Sequence, residues 1–357
     1  VATASQNGSS RPLSALLSQV LVAFAVELDN EFEWRMLGSG HPGARLSLKV
    51  WLDLMRHLNG GGVSVGSLAK LTPLPAASTK LMLGCLERWR FIRFQGGEEA
   101  KKRDGWGSGR GIRADCIILL TALGSRAVEI WPPLLAEIEN RWLARFGETV
   151  SQIKRLLAAI TEQPGAELPV LLSHALLIFE REFNAESATP LSLCASTLRV
   201  LGDAGVRLAD IPRVTGSSPE TSGLGWQLKP YVRVERDPGR TRGTFVFLTA
   251  KGIKAQHHYW HLVCEIEKRW ERFGPLRALL LALFDYCGGL AMKQTLEPPP
   301  GVARAGALTP ALGRRSVGPA ARQRMRDLAA QTEEFLRDPA GALPHYPLWD
   351  MNRGFGP

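Results

Sequence analysis

Apolar residues at Leu13, Leu16, Leu17, Val20, Leu21, Phe24 and Leu28 recur every three or four positions, which predicts a helix from Leu13 to about Phe32 with a wide buried face. The pattern returns from Leu168 to about Phe183, where Leu171, Leu172, Ala175, Leu176 and Phe179 match Leu16, Leu17, Val20, Leu21 and Phe24. Leu46-Ser-Leu opens a second helix reaching Leu58, with Trp51, Leu54, Met55 and Leu58 on one side and Gly60-Gly-Gly62 ending it. Leu191-Ser-Leu opens its counterpart, which Asp203-Ala-Gly205 ends. Val63 to Thr72 and Val206 to Thr215 each predict a short helix and a tight turn. A third helix follows, from near Pro75 to Trp89 and from near Pro219 to Leu228, each proline being tolerated in a first helical turn and Ser218 standing at a capping position. The period then changes. β-branched and aromatic runs Phe91 to Phe94 and Cys116 to Thr121 flank a turn-rich tip, as do Tyr231 to Val234 and Thr244 to Thr249, and each pair predicts a hairpin.

After each hairpin one motif recurs. Thr121-Ala-Leu-Gly124 and Glu137-Ile-Glu-Asn-Arg-Trp142 return as Thr249-Ala-Lys-Gly252 and Glu265-Ile-Glu-Lys-Arg-Trp270, both 128 residues on (249 − 121 and 265 − 137). Self-similarity of this length means that the chain holds two versions of one domain. The expected class is mainly α with small β-hairpin wings, an α+β fold of two tandem winged helix-turn-helix domains with long flanking pairing helices. The divisions expected are a disordered lead over 1–11, a first domain over 12–161, a second over 168–290, and a Pro/Gly/Arg-rich tail with a short helix over 291–357.

This order resembles the MarR family of bacterial transcription regulators. Leu86-Glu87-Arg88 with Phe91-Ile92-Arg93 is similar to that family's leucine–glutamate segment at the end of the recognition helix, and Leu120-Thr121 with Gly124 to its leucine–threonine–x–x–glycine after the wing. The likeness covers about Leu13 to Ile160 and Leu168 to Leu290. It departs from the family in fusing two copies, where relatives are single-domain homodimers, and in a second recognition helix that lacks the leucine–glutamate segment and is followed by Pro230. The resemblance implies a double-stranded-DNA-binding transcription regulator with a small aromatic effector, folded as a monomeric pseudo-dimer. The alternative is a non-catalytic effector-binding or scaffold protein with reduced DNA binding.

Charge agrees with a phosphate partner: 44 Lys and Arg against 34 Asp and Glu leave +10. Charge alone does not separate nucleic acid from an anionic membrane surface. No stretch approaches the roughly 18 uninterrupted apolar residues of a membrane span, the closest, Leu16 to Leu28, being cut by Ser18, Gln19 and Glu27. The polar, Gly/Ser-rich start lacks the apolar region of a signal peptide. Five scattered cysteines without a Cys-x-x-Cys suggest reduced thiols in a cytoplasm, packed among apolar neighbours.

In a winged helix the recognition helix enters the major groove by its N-terminal side chains. Those are Ser78, Thr79 and Lys80 in the first copy and Ser218, Glu220, Thr221 and Ser222 in the second. The wings carry Lys101, Lys102, Arg103, Arg110 and Arg113, and Arg236, Arg240 and Arg242, able to neutralise phosphates. A solvated charged loop is the alternative for that run, which Glu98, Glu99 and Asp104 dilute, and DNA contact is favoured because the expected fold puts a wing there. Trp34, Trp51, Trp131 and Trp260 lie on or beside the helices where the resemblance implies the effector, although core packing explains each one singly. Enzyme signals are weak. Ser67-Leu-Ala-Lys70 has no Ser-Asp-Asn or Lys-Thr-Gly beside it. Gly105 to Gly111 lacks nucleotide-fold spacing. His257 and His261 are one turn apart near His258 and Glu265 but lack a third placed ligand. Neither catalysis, a metal nor a cofactor is expected.

Overall fold

The computed structural model describes residues 12–41, 44, 46, 48–58, 60–72, 76–95, 112–211, 228–236 and 243–287, and these are mainly helical with two small antiparallel sheets. In chain order come α1 (Leu13–Gly38), α2 (Leu48–Asp53), β1 (Val63–Ser64), α3 (Val65–Leu71), α4 (Ala76–Arg88), β2 (Ile92–Gln95), β3 (Ile117–Leu120), α5 (Ala122–Phe146) and α6 (Glu148–Thr161). The second series is α7 (Leu168–Glu186), α8 (Leu191–Ser196), β4 (Val206–Arg207), β5 (Val232–Arg236), β6 (Thr244–Leu248), α9 (Ala250–Trp270) and α10 (Leu276–Cys287). The expected α+β class and both hairpins are present.

The two sheets share one plan, ordered β1-β3-β2 and β4-β6-β5. Val63 faces Ile118 and Ile92 faces Leu120, while Val206 faces Val246 and Val232 faces Leu248. The first strand of each sheet is a surprise, because two residues offer no alternation from which a strand could be foreseen. The Thr-x-x-Gly motif also repeats atom for atom. Thr121 Oγ1 accepts from the Gly124 amide at 3.1 Å and donates to the Arg90 carbonyl at 2.5 Å. Thr249 Oγ1 accepts from the Gly252 amide at 3.1 Å and donates to the Pro230 carbonyl at 2.9 Å. Each threonine thus caps a long helix and ties it to the start of its hairpin. The glycines are required by closeness: a Cβ would stand 1.9 Å from the Phe91 oxygen at Gly124 and 2.0 Å from the Tyr231 oxygen at Gly252.

Helix α2 is shorter than the sequence suggests. It ends at Asp53 and passes into a 3-10 turn at Met55–His57, as α8 passes into one at Leu198–Val200. The copies therefore match with Leu48 on Leu191, 143 residues apart (191 − 48), and not with Leu46 on Leu191. Leu54 (φ −135°, ψ −58°) and Thr197 (φ −130°, ψ −52°) occupy the same kink.

The chain divides into two compact units, one of Glu27–Ile138 and one of the described residues up to Val26 and from Glu139 onward. This division differs from the repeat, for it falls inside α1 and α5. The second unit holds the first half of α1, where Leu13, Ser14, Ala15, Leu16, Leu17, Ser18, Val20, Leu21, Ala23, Phe24 and Ala25 are all covered. This is the wide buried face that the apolar spacing predicts, with Ser14 and Ser18 covered along with it. Each buried Leu or Phe contributes roughly 1.5–3 kcal/mol of transfer free energy, which opposes the conformational entropy lost on folding.

Two carboxylates close this unit in a reciprocal way. Glu139 of α5 accepts from the amide of Leu168, first residue of α7, at 2.9 Å, and Glu267 of α9 accepts from the amide of Leu13, first residue of α1, at 2.6 Å. Glu167, the residue before α7, makes no side-chain cap of its own. The glutamates occupy one repeat position, as do the two leucines, so each copy supplies the other's cap. Glu139 also holds Lys154, and Glu267 holds Arg277 at 2.7 Å. Burial pushes the Glu267 carboxyl above its usual value and outweighs the opposing pull of the Leu13 amide and Arg277. Aromatic pairs repeat as well, Phe24 with Trp142 at 5.2 Å and Phe179 with Trp270 at 5.5 Å. Val150, Ile153, Leu157 and Ile160 bury one face of α6, which packs on α7 and α10.

The glycine contacts make a direct prediction. Gly124→Ala and Gly252→Ala each force a strand-end carbonyl away from the helix, and each should destabilise the chain by about 3 kcal/mol. Chemical denaturation measures this, and a loss below about 0.5 kcal/mol at both sites would show that the close approach is not a constraint.

Candidate nucleic-acid interface

In the unit Glu27–Ile138, β1 leads directly into α3, which Ser64 caps by accepting from the Ser67 amide at 3.1 Å. Ser64 Oγ also donates to Ser67 Oγ at 2.8 Å, so the serine of the Ser-x-x-Lys sequence belongs to an exposed helix cap. The link over 73–75 lies outside the described residues, and α4 follows. On α4, Thr79, Leu83 and Leu86 are buried along one stripe. The expectation that Thr79 faces a groove is therefore corrected: it is 1% exposed, because the helical period puts it in line with Leu83 and Leu86 and not with the polar first turn. Lys80, one step round, is half-buried, and the Ser78 side chain lies outside the description.

Helix α4 ends in a tight cap. The Phe91 amide donates to the Leu86 carbonyl at 3.0 Å, the Arg90 amide donates to the Glu87 carbonyl at 2.9 Å, and Arg90 adopts φ 65°. This is the left-handed cap usually given to glycine. It sends the chain straight into β2, so the helix end and hairpin start are fixed to one another, with the Thr121 hydroxyl on the Arg90 carbonyl as a second tie. Arg88, Arg90 and Arg93 surround this junction, all three in the open. None was singled out from the sequence as a contact residue. The signal for Arg88 and Arg93 was membership of the motif behind the family likeness, and for Arg88 a favourable place at a helix C-terminus is the plainer role.

Of the wing residues, Lys101, Lys102, Arg103 and Arg110 lie outside the described residues, as do Arg240 and Arg242. Arg113 is paired with Asp115 at 2.5 Å, which offsets its charge. Arg236 ends β5 in the open. Ser218, Glu220, Thr221 and Ser222 also fall outside, within 212–227. Where the second copy becomes described, Pro230 presents the carbonyl that Arg90 presents in the first.

Of the four tryptophans, Trp51 and Trp131 come together. Trp131 is fully buried, stacked on Trp51 at 5.2 Å and 8° and on Phe32 at 5.0 Å, which makes Trp51 and Trp131 part of a packed core. Trp260 belongs to the other unit, edge-on to Tyr259 at 5.0 Å, and the side chain of Trp34 lies outside the description. An open cleft of about 680 Å³ does occur in the unit Glu27–Ile138, lined by Glu31, Arg35, Ser39, Arg126, Glu129 and Pro133 among others. Its charges are matched internally, Arg35 to Glu31 and Glu137, Arg126 to Glu129.

The cysteines are not uniformly packed. Cys116 and Cys194 are buried, and burial pushes the Cys194 thiol up to about 12, but Cys264 is exposed. Val263 and Ile266 lie beside it in sequence yet turn inward, whereas Cys264 shares the outer stripe of His257, His261 and Lys268. No metal-binding group of His, Cys, Asp and Glu occurs among the described residues, and no described helix is long and apolar enough to cross a membrane. No protein-family model matches the chain, and neither a curated protein nor a solved structure matches it.

The positive φ of Arg90 carries a testable cost. Arg90→Gly should raise stability to denaturant by about 0.5–1 kcal/mol, since glycine adopts this conformation without a Cβ penalty. A fall in stability would mean that the arginine side chain contributes more than its backbone costs.

Proposed function

We propose that the chain is a sequence-specific, double-stranded-DNA-binding transcription regulator of the MarR type, with two winged helix-turn-helix copies in one chain forming a pseudo-dimer. The observation that carries this reading is the junction in the first copy, where a helix pair runs directly into a hairpin that is completed by the strand preceding the pair. A helix presented beside a hairpin suits a major groove with adjacent phosphates. The net charge of +10 supports a polyanionic partner. On this reading Lys80 and Ser78 face base edges, while Lys101, Lys102, Arg103, Arg110 and Arg113 meet phosphates. Arg236, Arg240 and Arg242 do the same for the second copy, whose groove residues are Ser218, Glu220, Thr221 and Ser222. The reading includes no catalytic step and no cofactor, and a small-molecule effector is part of it by family likeness alone.

A second reading, an effector-binding or scaffold protein, draws on Pro230 standing where the first copy has Arg90, which removes a cation from that junction. Fluorescence anisotropy on labelled duplexes at several salt concentrations separates the two. A regulator shows affinity falling linearly on log–log axes, and Lys80→Ala weakens binding to a selected duplex by about 1–3 kcal/mol. Replacing Lys101, Lys102 and Arg103 together by alanine flattens the slope by about 0.9 for each phosphate no longer neutralised. Salt-independent or undetectable binding would leave the scaffold reading.

A further inference from the structure

The two sheets present unlike outer faces. Strand alternation puts Phe245 and Phe247 of β6 on the side opposite the buried Val246, as it puts Ile117 and Leu119 of β3, 128 residues earlier (245 − 117), opposite the buried Ile118. Cross-strand neighbours fix what lies beside them. Phe245 faces Arg207 on β4 and Glu235 on β5, while Phe247 faces Arg233 on β5. The glycine before β4 completes this face, because a Cβ on Gly205 would stand 2.6 Å from the Phe247 ring. In the first copy a Cβ on Gly62 would meet Ile117 and Leu119 instead, both at 2.9 Å, and Ser64 stands where the second copy has Arg207 (207 − 64 = 143). An aliphatic face has become an aromatic one.

The aromatic face is built in two tiers. The Phe245 and Phe247 rings lie 6.2 Å apart at 29°, with the Arg207 guanidinium over the first at 5.7 Å and the Arg233 guanidinium over the second at 4.5 Å. Glu235 pairs with Arg233 and holds it there. Both rings are half-buried and the Arg233 side chain is 51% exposed, so solvent meets rings and guanidinium planes side by side. Packing alone does not require this, since Ile117 and Leu119 fill the same positions in a sheet of the same order. Charge narrows the partner further. Over residues 229–254 seven Lys and Arg stand against two acidic residues, and that surplus of five (7 − 2) is half of the chain's +10.

We infer that the outer face of β4-β6-β5 binds single-stranded nucleic acid, with unpaired bases stacked on the tiers of Phe245 and Phe247 and the sugar–phosphate backbone drawn by the positive charge around them. Aromatic rings on a sheet and arginine planes both take a base by stacking, and every base has such a face, so the surface specifies no sequence. Bases inside a duplex are already stacked on their neighbours and have no face to give. The surface therefore selects unpaired strand. It belongs to the copy whose recognition helix lacks the leucine–glutamate segment, and the aliphatic sheet of the first copy offers no counterpart. The inference goes beyond the duplex-binding reading and does not rest on it, for none of the groove residues named for that reading takes part.

The probe is fluorescein-labelled oligothymidylate of about 12 nucleotides, titrated with the full chain at fixed salt and read by fluorescence polarisation. An abasic oligomer of the same length carries the same phosphates without the bases. The chain should bind oligothymidylate at least about tenfold more tightly than the abasic oligomer, the scale of stacking on one or two rings. Phe245→Ile with Phe247→Leu gives the second sheet the residues of the first and should abolish that margin. Phe245→Tyr with Phe247→Tyr keeps the rings and should retain it to within about twofold. Thermal unfolding reports that both variants fold. Equal affinity of the unaltered chain for the two oligomers would overturn the inference without any variant, as would a margin that survives in the folded Ile and Leu variant. Absence of binding to either oligomer would overturn it as well and leave the face to a protein partner. Duplex affinity should be the same in both variants, so loss of single-strand binding with duplex binding intact counts against this surface alone, and the reverse against the regulator reading alone.

Discussion

Two glutamates at one position of a duplicated sequence each reach the first amide of the other copy's first helix, and the fold depends on that exchange. A helix begins with amides that have no partner within it, and a carboxylate satisfies one of them while complementing the positive end of the helix dipole. Glu139 does this for Leu168 and Glu267 does it for Leu13. The helices so capped cannot be spared, because the first half of α1 buries a wide apolar face that would have no stable place in water alone. Neither copy is complete by itself: each lacks a cap that only the other carries. The compact units likewise cut through α1 and α5 and do not follow the repeat.

Where backbone meets backbone the copies have stayed alike, and at some of the positions where side chains fill space they have diverged. Thr121 with Gly124 and Thr249 with Gly252 preserve the same bonds because a carbonyl lies closer than any Cβ permits. Trp131 and Tyr259 show the other regime. The first sits in an aromatic stack with Trp51, the second edge-on to Trp260. Duplication followed by such divergence leaves an indole in one copy and a phenol in the other at equivalent buried positions.

Much of this was legible in the sequence, for reasons that can be named. The long helices and hairpins follow from a period of three to four residues giving way to β-branched runs, and the repeat from motifs at a constant separation. The wide face assigned to α1 is buried and takes in Ser14 and Ser18, polar residues that the apolar pattern did not place inside. The match of Leu46 with Leu191 was off by two residues, since a shared Leu-Ser-Leu outweighed a helix start that sequence alone does not mark. Thr79 was placed outward by its chemistry, whereas its position in the helix puts it inside. The reciprocal caps were not foreseeable: Glu139 and Glu267 look like ordinary acidic residues within a charged helix, and their partners are backbone amides far away in sequence.

The central claim is that the two copies complete one another within a single chain. Light scattering coupled to size exclusion at micromolar concentration tests it most directly. The account predicts a single species of one chain mass, 39.1 kDa, unchanged on dilution. A species of twice that mass that persists on dilution would contradict it, showing that the caps are exchanged between chains or that pairing uses another surface.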